Sequence, residues 1–410
     1  MPTPDPGPSE VSRGWLLILA SGIGVALSSI VLPYYSIGGL VKPLTAAYGW
    51  TRADVQTAIL FSTGLGAVTA PVVGWLIDRF GPRAVALPCI VGLSGGFFLA
   101  ATVDGRLWML QLSYALIAIL GAGTTPVTWT RAIAASFRRQ RGLALGLTLT
   151  STGVCAILVP QFTIWMVEHH GWRAAYVGLG LLPLLIALPL AFVGFRPNPS
   201  LTGAASQFVP QAGGLTPREA MATRRFWLLL LSILAIYLGI SGLVTNLVPA
   251  LTDAGLSAHQ AANLQSLYGL SLIFGRLGVG YLVDRYWAPG VAAISLGLPA
   301  LGCWLLLGQP GLGLSAVAVV LIGLAAGAEL DLMSFLAATY FGVRHYAKIY
   351  AILYAVLAVA GGVAPTLFAR VFDRTASYSA AFIVASGLFL FGALILLGLG
   401  RYPRFQDITT

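Results

Sequence analysis

Apolar residues run along this chain in long continuous stretches separated by short polar breaks. Twelve stretches stand out: 14–41, 53–77, 84–103, 107–136, 143–167, 174–195, 227–252, 260–284, 289–308, 312–340, 347–371 and 378–400. About 20 apolar residues wound as a helix cross the ~30 Å hydrocarbon layer of a bilayer. The stretches lack the apolar/polar alternation of a membrane barrel, so each predicts a transmembrane helix. The predicted fold class is an all-α membrane protein with twelve transmembrane helices. The first stretch is too long to be only a signal peptide, and no small-residue cleavage site follows it, so it counts as helix 1.

One break is longer than the rest. Residues 196–225 begin Pro-, Gly- and Ser-rich and divide the chain into six helices and six helices. The predicted organisation is a disordered cytoplasmic tail over 1–13, an N-terminal half over 14–195, the linker 196–225, a C-terminal half over 226–401 and a cytoplasmic tail over 402–410. The linker ends in Thr216-Pro217-Arg218-Glu219. That is a capping box with proline at the first helical position, and it predicts a short interfacial helix.

The two halves echo each other. Gly74-Trp75-Leu76-Ile77-Asp78-Arg79-Phe80 ends helix 2, and Gly280-Tyr281-Leu282-Val283-Asp284-Arg285-Tyr286 ends helix 8, an offset of 206 residues. Trp172-Arg173-Ala174-Ala175-Tyr176 and Tyr378-Ser379-Ala380-Ala381-Phe382 repeat at the same offset. Paired, pseudo-symmetric membrane halves are the architecture of alternating-access transporters.

Composition agrees: 58% of residues are hydrophobic and 9% charged, against about 25% charged in soluble proteins. A net charge of +10 would by itself permit a nucleic-acid partner. Its placement argues for a bilayer instead. With both termini in the cytoplasm, fifteen of the 23 Lys and Arg residues fall on the cytoplasmic side and six outside, which is the positive-inside bias. Arginine outnumbers lysine 21 to 2, and with Ala/Gly richness this suggests a GC-rich bacterium and its inner membrane. Cys89, Cys155 and Cys303 fall inside spans and read as small core residues, without disulfide or zinc spacing. No cofactor or metal is expected, and nothing requires more than a monomer.

Gly74…Asp78-Arg79…Gly81…Arg83 resembles the most recognisable motif of the major facilitator superfamily, and the twelve-helix pattern resembles that superfamily over essentially the whole chain. The resemblance implies a gate latch, with Asp78, Arg79 and Arg83 making charge pairs in one state and breaking them in the other. The second copy, Asp284-Arg285, is degenerate and lacks the later basic residue. Within the superfamily, residues 33–52 and 137–173 look like the monocarboxylate transporter family and its bacterial relatives, including the oxalate:formate antiporters.

Ionisable groups inside spans are costly and are functional candidates by default. Arg276 lies nine residues before Arg285 on helix 8, about 13 Å from the helix end at 1.5 Å per residue. It matches the helix-8 arginine that binds the substrate carboxylate in the resembling family. That family's aspartate four residues earlier is replaced here by Leu272. Lys42 follows Gly38-Gly39 on helix 1, where the family has a lysine that takes part in proton and substrate binding, and Tyr35 falls on the same face. On helix 10, Glu329 and Asp331 are two residues apart, so they point about 200° apart and cannot share a face. An acid in a low-dielectric span is a candidate proton carrier, and Asp331 is favoured because it shares a face with Ser334 and Phe335. Gln265 lies on the stripe of Arg276. Arg131 reads as an anchor or an interhelical partner.

The expected function is secondary transport of a small organic anion, a proton-coupled monocarboxylate symport by alternating access. Arg276 would clamp the carboxylate, Lys42 would attract it, Tyr35, Gln265, Ser334 and Phe335 would line the site, and Glu329 or Asp331 would carry the proton. The alternatives are anion exchange of the oxalate:formate type, efflux of apolar compounds, and, least supported, a membrane enzyme or receptor. An enzyme would need a nucleophile or metal cluster at membrane depth, and none is present in the sequence.

Overall fold

A computed structural model describes residues 10–403, apart from 138–139, 196–213, 309 and 343. The predicted tails and linker lie outside the described residues over 1–9, 196–213 and 404–410. Fifteen α-helices are present among the described residues. In the N-terminal half they are α1 Glu10–Arg13, α2 Trp15–Ala26, α3 Val31–Tyr48, α4 Arg52–Ala101, α5 Leu107–Leu120, α6 Pro126–Ser136, α7 Arg141–Leu182 and α8 Leu188–Gly194. After the linker come α9 Pro217–Ala222, α10 Arg224–Asp253, α11 Ala258–Val283, α12 Ala288–Leu305, α13 Leu312–Phe341, α14 Tyr346–Thr375 and α15 Ser379–Leu397.

Among the described residues, nine helical stretches are long and apolar enough to span a membrane, and a bent pair within α4 makes ten. One of the nine, Leu143–Gly194, is 52 residues long and holds two crossings. Another crossing is split between α5 and α6 by a 3₁₀ turn at Ala122–Thr124. The twelve predicted segments are therefore all accounted for. Two predicted boundaries become glycines inside continuous helices. Gly81 (φ 81°) divides helices 2 and 3 within α4, and Gly171 (φ 81°) divides helices 5 and 6 within α7. Both dihedrals lie where a Cβ is strained, so glycine is the residue that fits.

Glu10–Arg13, placed in the disordered tail by the sequence reading, are ordered. Glu10–Arg13 form a helical turn because Val11 N–H donates to Gln140 Oε1 at 2.9 Å, and Gln140 N–H donates to Glu10 Oε2 at 2.9 Å. After the linker, Thr216 caps α9 and Glu219 reaches back to its backbone N–H. The Thr216 backbone N–H and hydroxyl hold the Glu219 carboxyl below its usual range.

The repeat seen in the sequence extends to the backbone. Gly49 and Gly255 both turn through positive φ (68° and 92°). Two residues later Thr51 and Ser257 each cap a helix with a full capping box, to Asp54 and Gln260. Pro43 and Pro249 sit within the preceding helices. Each pair is 206 residues apart. The contacts between halves obey the same symmetry: α3 packs on α10, α4 on α14, and α7 on α11. Exchanging the halves turns the α4–α14 contact into the α7–α11 contact, as a two-fold axis through the bundle requires.

Polar contacts between the halves gather at the end opposite the termini. Gln56 Nε2 donates to the Thr245 carbonyl at 3.0 Å, and Gln161 Nε2 donates to Asn263 Oδ1 at 2.6 Å. The Arg52 and Ala53 N–H groups donate to Asp373 at 3.1 and 2.9 Å.

Candidate functional site

Close helix approach builds the centre of the C-terminal half. A Cβ on Gly323 would sit 2.6 Å from the Tyr268 carbonyl oxygen, and one on Gly327 would overlap the Leu272 carbonyl oxygen. Gly275 meets the Leu324 backbone in the same way. Three glycines thus let α11 and α13 pack backbone to backbone, the small-residue mode of membrane helices. Gly327→Val is therefore expected to lower the thermal unfolding midpoint by several degrees and to separate α11 from α13. An unchanged midpoint in a detergent thermal-shift assay would count against this packing.

This packing brings Arg276 to Asp331. The Arg276 Nε stands 3.0 Å from Asp331 Oδ2. The N–H is not aligned for a hydrogen bond, so the attraction is electrostatic. Arg276 Nη1 donates across the interface to the Leu149 carbonyl of α7 at 2.7 Å. One guanidinium thus links an acid of its own half to the backbone of the other.

Glu329 points elsewhere, as the 200° separation requires. It is 6% exposed, and its Oε2 has no hydrogen-bond partner. Tyr34 and Tyr35 of α3, Tyr237 of α10 and Tyr268 of α11 all lie within its electrostatic reach. The Tyr34 and Tyr35 rings meet edge-on at 5.3 Å, and Tyr35 faces Tyr268 at 6.5 Å. Gln265 is also buried, with Oε1 unpartnered.

Several sequence candidates are placed differently. Lys42 does not join Arg276 but lies 2.8 Å from Asp253 Oδ1, at the last residue of α10. Ser334 Oγ donates back to the Asp331 carbonyl at 3.0 Å, and Phe335 packs on the C-terminal core. Thr148, Thr150, Ser151 and Thr152 of α7 likewise bond to their own helix. In the gate motif, the Asp78 side chain lies outside the described residues. The guanidinium of Arg79 rests 5.5 Å from the Trp75 ring centroid, and that of Arg83 rests 4.7 Å from Phe192. In the second copy Arg285 covers Tyr281 at 4.0 Å, and Asp284 is exposed.

Arg52 and Asp253 are functional candidates that sequence reasoning did not single out. Arg52 grips both Asp253 oxygens, Nη1 on Oδ2 and Nη2 on Oδ1, the latter at 3.1 Å. The guanidinium lies 3.6 Å from the Phe372 ring centroid. Charged residues are scarce in this chain, and an acid closing an apolar helix was the available signal.

These features, two six-helix halves joined about a two-fold axis with paired charges at the interface, are those of a membrane transporter. The Major Facilitator Superfamily profile matches residues 14–365 and 229–407, and the chain belongs to that family. It is a transporter and not an enzyme. It is 27% identical to monocarboxylate transporter 11 of Homo sapiens over 97% of this chain and 86% of that protein. It is 31% identical to the oxalate:formate antiporter of Oxalobacter formigenes over 60% of this chain and 57% of that protein. Its fold is similar to a crystal structure of a bacterial homologue of the human lysosomal transporter Spinster, in an inward-facing and occupied conformation. The TM-score there is 0.70, at 17% identity and with 96% of each chain covered.

Proposed function

We propose that this protein carries small organic anions, foremost monocarboxylates, across the bacterial inner membrane in company with protons. The observation that carries the reading is Arg276, held at the centre of the bundle between Asp331 and the Leu149 carbonyl. A guanidinium recognises carboxylates in fixed geometry, and here an internal carboxylate already sits against it. The similarity to a monocarboxylate transporter and to an oxalate:formate antiporter supports the same class of cargo.

The termini lie in the cytoplasm by the positive-inside bias. The Lys42/Arg52–Asp253 end is then the external one. Arg79, Arg83 and Arg285 rest on aromatic rings, and Asp78 and Asp284 are the acids of the same motifs with which they would form the cytoplasmic gate. The protein works as a monomer.

The coupling follows from charge. Arg276 is already neutralised by Asp331, so an arriving anion adds an uncompensated charge to the interior. That costs several kcal/mol unless a proton comes with it. Purified protein in liposomes is expected to accumulate a labelled monocarboxylate when the outside is acid, about tenfold for a one-unit gradient with one proton per anion. A protonophore should abolish the accumulation. Uptake that ignores the pH gradient but needs an internal counter-anion would replace symport by exchange.

A further inference from the structure

We infer that Tyr346, Tyr350 and Tyr354 of α14 form a binding face for a flat aromatic ring beside Arg276, and that this protein selects aromatic acids among the monocarboxylates. The inference rests on the transport reading above and adds a second part to the site. Arg276 takes the carboxylate, and the tyrosines take the group that bears it.

The three tyrosines stand at i, i+4 and i+8 from the first residue of α14, so they line one stripe of that helix. Their rings pack in series. The Tyr346 and Tyr350 centroids are 5.5 Å apart, and those of Tyr350 and Tyr354 are 6.2 Å apart with planes 18° from parallel. The stripe faces the bundle interior. Gly361, seven residues beyond Tyr354 on the same helix, lies within about 20° of it around the axis. A Cβ on Gly361 would meet the Tyr237 ring of α10 at 2.9 Å. At the start of the stripe, Tyr346 approaches the Ser334 side chain of α13. Next along it, Tyr350 lies within electrostatic reach of Asp331. Tyr354 lies within the same reach of Tyr237.

Depth brings the stripe to the guanidinium. α13 ends at Phe341 and α14 starts at Tyr346, at one end of the bundle. Asp331 is ten residues from that end of α13, about 15 Å along the axis. Tyr354 is eight residues into α14, about 12 Å from the same end. The tyrosines therefore lead from the end of the bundle up to the level of Asp331, which lies against Arg276. A carboxylate that takes the place of Asp331 on Arg276 has the Tyr350 and Tyr354 rings as neighbours of its substituent. A stripe that served packing alone would be covered. Here Tyr354 is 38% exposed and Tyr346 and Tyr350 are half-buried, although the stripe points inward. Uncovered ring faces suit another flat ring, offset-stacked or edge-on, better than an alkyl group of the same size. Between Lys348 and Arg370 the helix has no charged side chain, so the stripe offers no cation to a second carboxylate.

The test compares benzoate with cyclohexanecarboxylate, which has the same number of carbons and the same charge at neutral pH but no flat ring. Binding of each to the purified full-length protein is measured by calorimetry. The wild-type protein is expected to bind benzoate about three- to tenfold tighter, the size of an aromatic contact. Tyr350→Leu and Tyr354→Leu keep apolar bulk and remove the ring. Each should lower the ratio, and the double variant should bring it to about one. Tyr350→Phe and Tyr354→Phe keep the ring and should keep the ratio. Because the ratio is taken within each variant, a general loss of active protein cancels from it. Equal binding of the two acids by the wild-type protein would overturn the ring-binding face while leaving carboxylate transport standing. So would a preference for benzoate that survives the double leucine variant, a preference lost in the phenylalanine variants, or binding of lactate without binding of benzoate. A wild-type protein that binds no carboxylate at all would instead bring down the transport reading, and this inference with it.

Discussion

Arg276→Lys is expected to reduce carboxylate uptake by on the order of a hundredfold while leaving a folded protein with normal expression. The charge survives the substitution, so a role in simple electrostatic attraction would survive too. What lysine cannot reproduce is the division of labour within one guanidinium. Nε faces Asp331 at 3.0 Å while Nη1 reaches the Leu149 carbonyl at 2.7 Å on the other half. An ammonium is a single point with rotatable donors, and it must give up one partner or hold both poorly. A substrate carboxylate that replaces Asp331 on the guanidinium would meet the same loss. The measurement is initial uptake in proteoliposomes, with thermal unfolding run alongside to confirm the fold. Wild-type uptake by a stable Arg276→Lys protein would remove the carboxylate clamp.

Much of the fold could be read from the sequence because its determinants are local or periodic. Twenty-residue apolar runs specify spans without reference to any partner, and the 206-residue echo is visible as soon as the chain is compared with itself. The structure extends that echo to features too subtle to pick out by eye, such as the paired capping boxes at Thr51 and Ser257 and the left-handed turns at Gly49 and Gly255. What the sequence blurred was where one helix hands over to the next. Gly81 and Gly171 make the change of direction with a single residue, where a polar loop had been expected.

The candidate site was legible as a set of residue types and much less so as a set of pairs. Arg276, Glu329 and Asp331 stood out because charge at membrane depth is rare. Helical geometry then required the two acids to diverge, as they do. Lys42 stood out for its place on helix 1, but its partner did not: Arg52 and Asp253 are 201 residues apart, and no local pattern links them. Sequence reasoning also leaned towards Asp331 as the proton carrier because of its neighbours Ser334 and Phe335. Ser334 bonds back to its own helix and Phe335 joins the core. The difference between the acids lies in what faces them across helices, which periodicity cannot supply.

Glu329→Gln is expected to disconnect uptake from the proton gradient while leaving anion exchange running. Asp331 is engaged by Arg276, and protonating it would cost that attraction. Glu329 is buried with Oε2 unpartnered, so it can take or release a proton without breaking an ion pair. Glutamine keeps the size and the hydrogen-bonding capacity of the protonated acid and fixes it in the uncharged form. A carrier locked in that form can still move its anion-loaded state back and forth. It therefore sustains counterflow of labelled against unlabelled substrate, where no net proton movement is needed. It cannot return a proton, so the accumulation of about tenfold per unit of pH gradient should collapse to equilibration. Asp331→Asn should behave differently. Removing the partner of Arg276 leaves a buried cation uncompensated and should impair binding and exchange together. The decisive comparison is therefore uptake under a pH gradient against counterflow at equal pH, in both variants. Persistent pH-driven accumulation by Glu329→Gln, with uncoupling in Asp331→Asn instead, would transfer the proton to the acid that faces the arginine. It would also make that ion pair, rather than the buried Glu329 carboxyl, the coupling element.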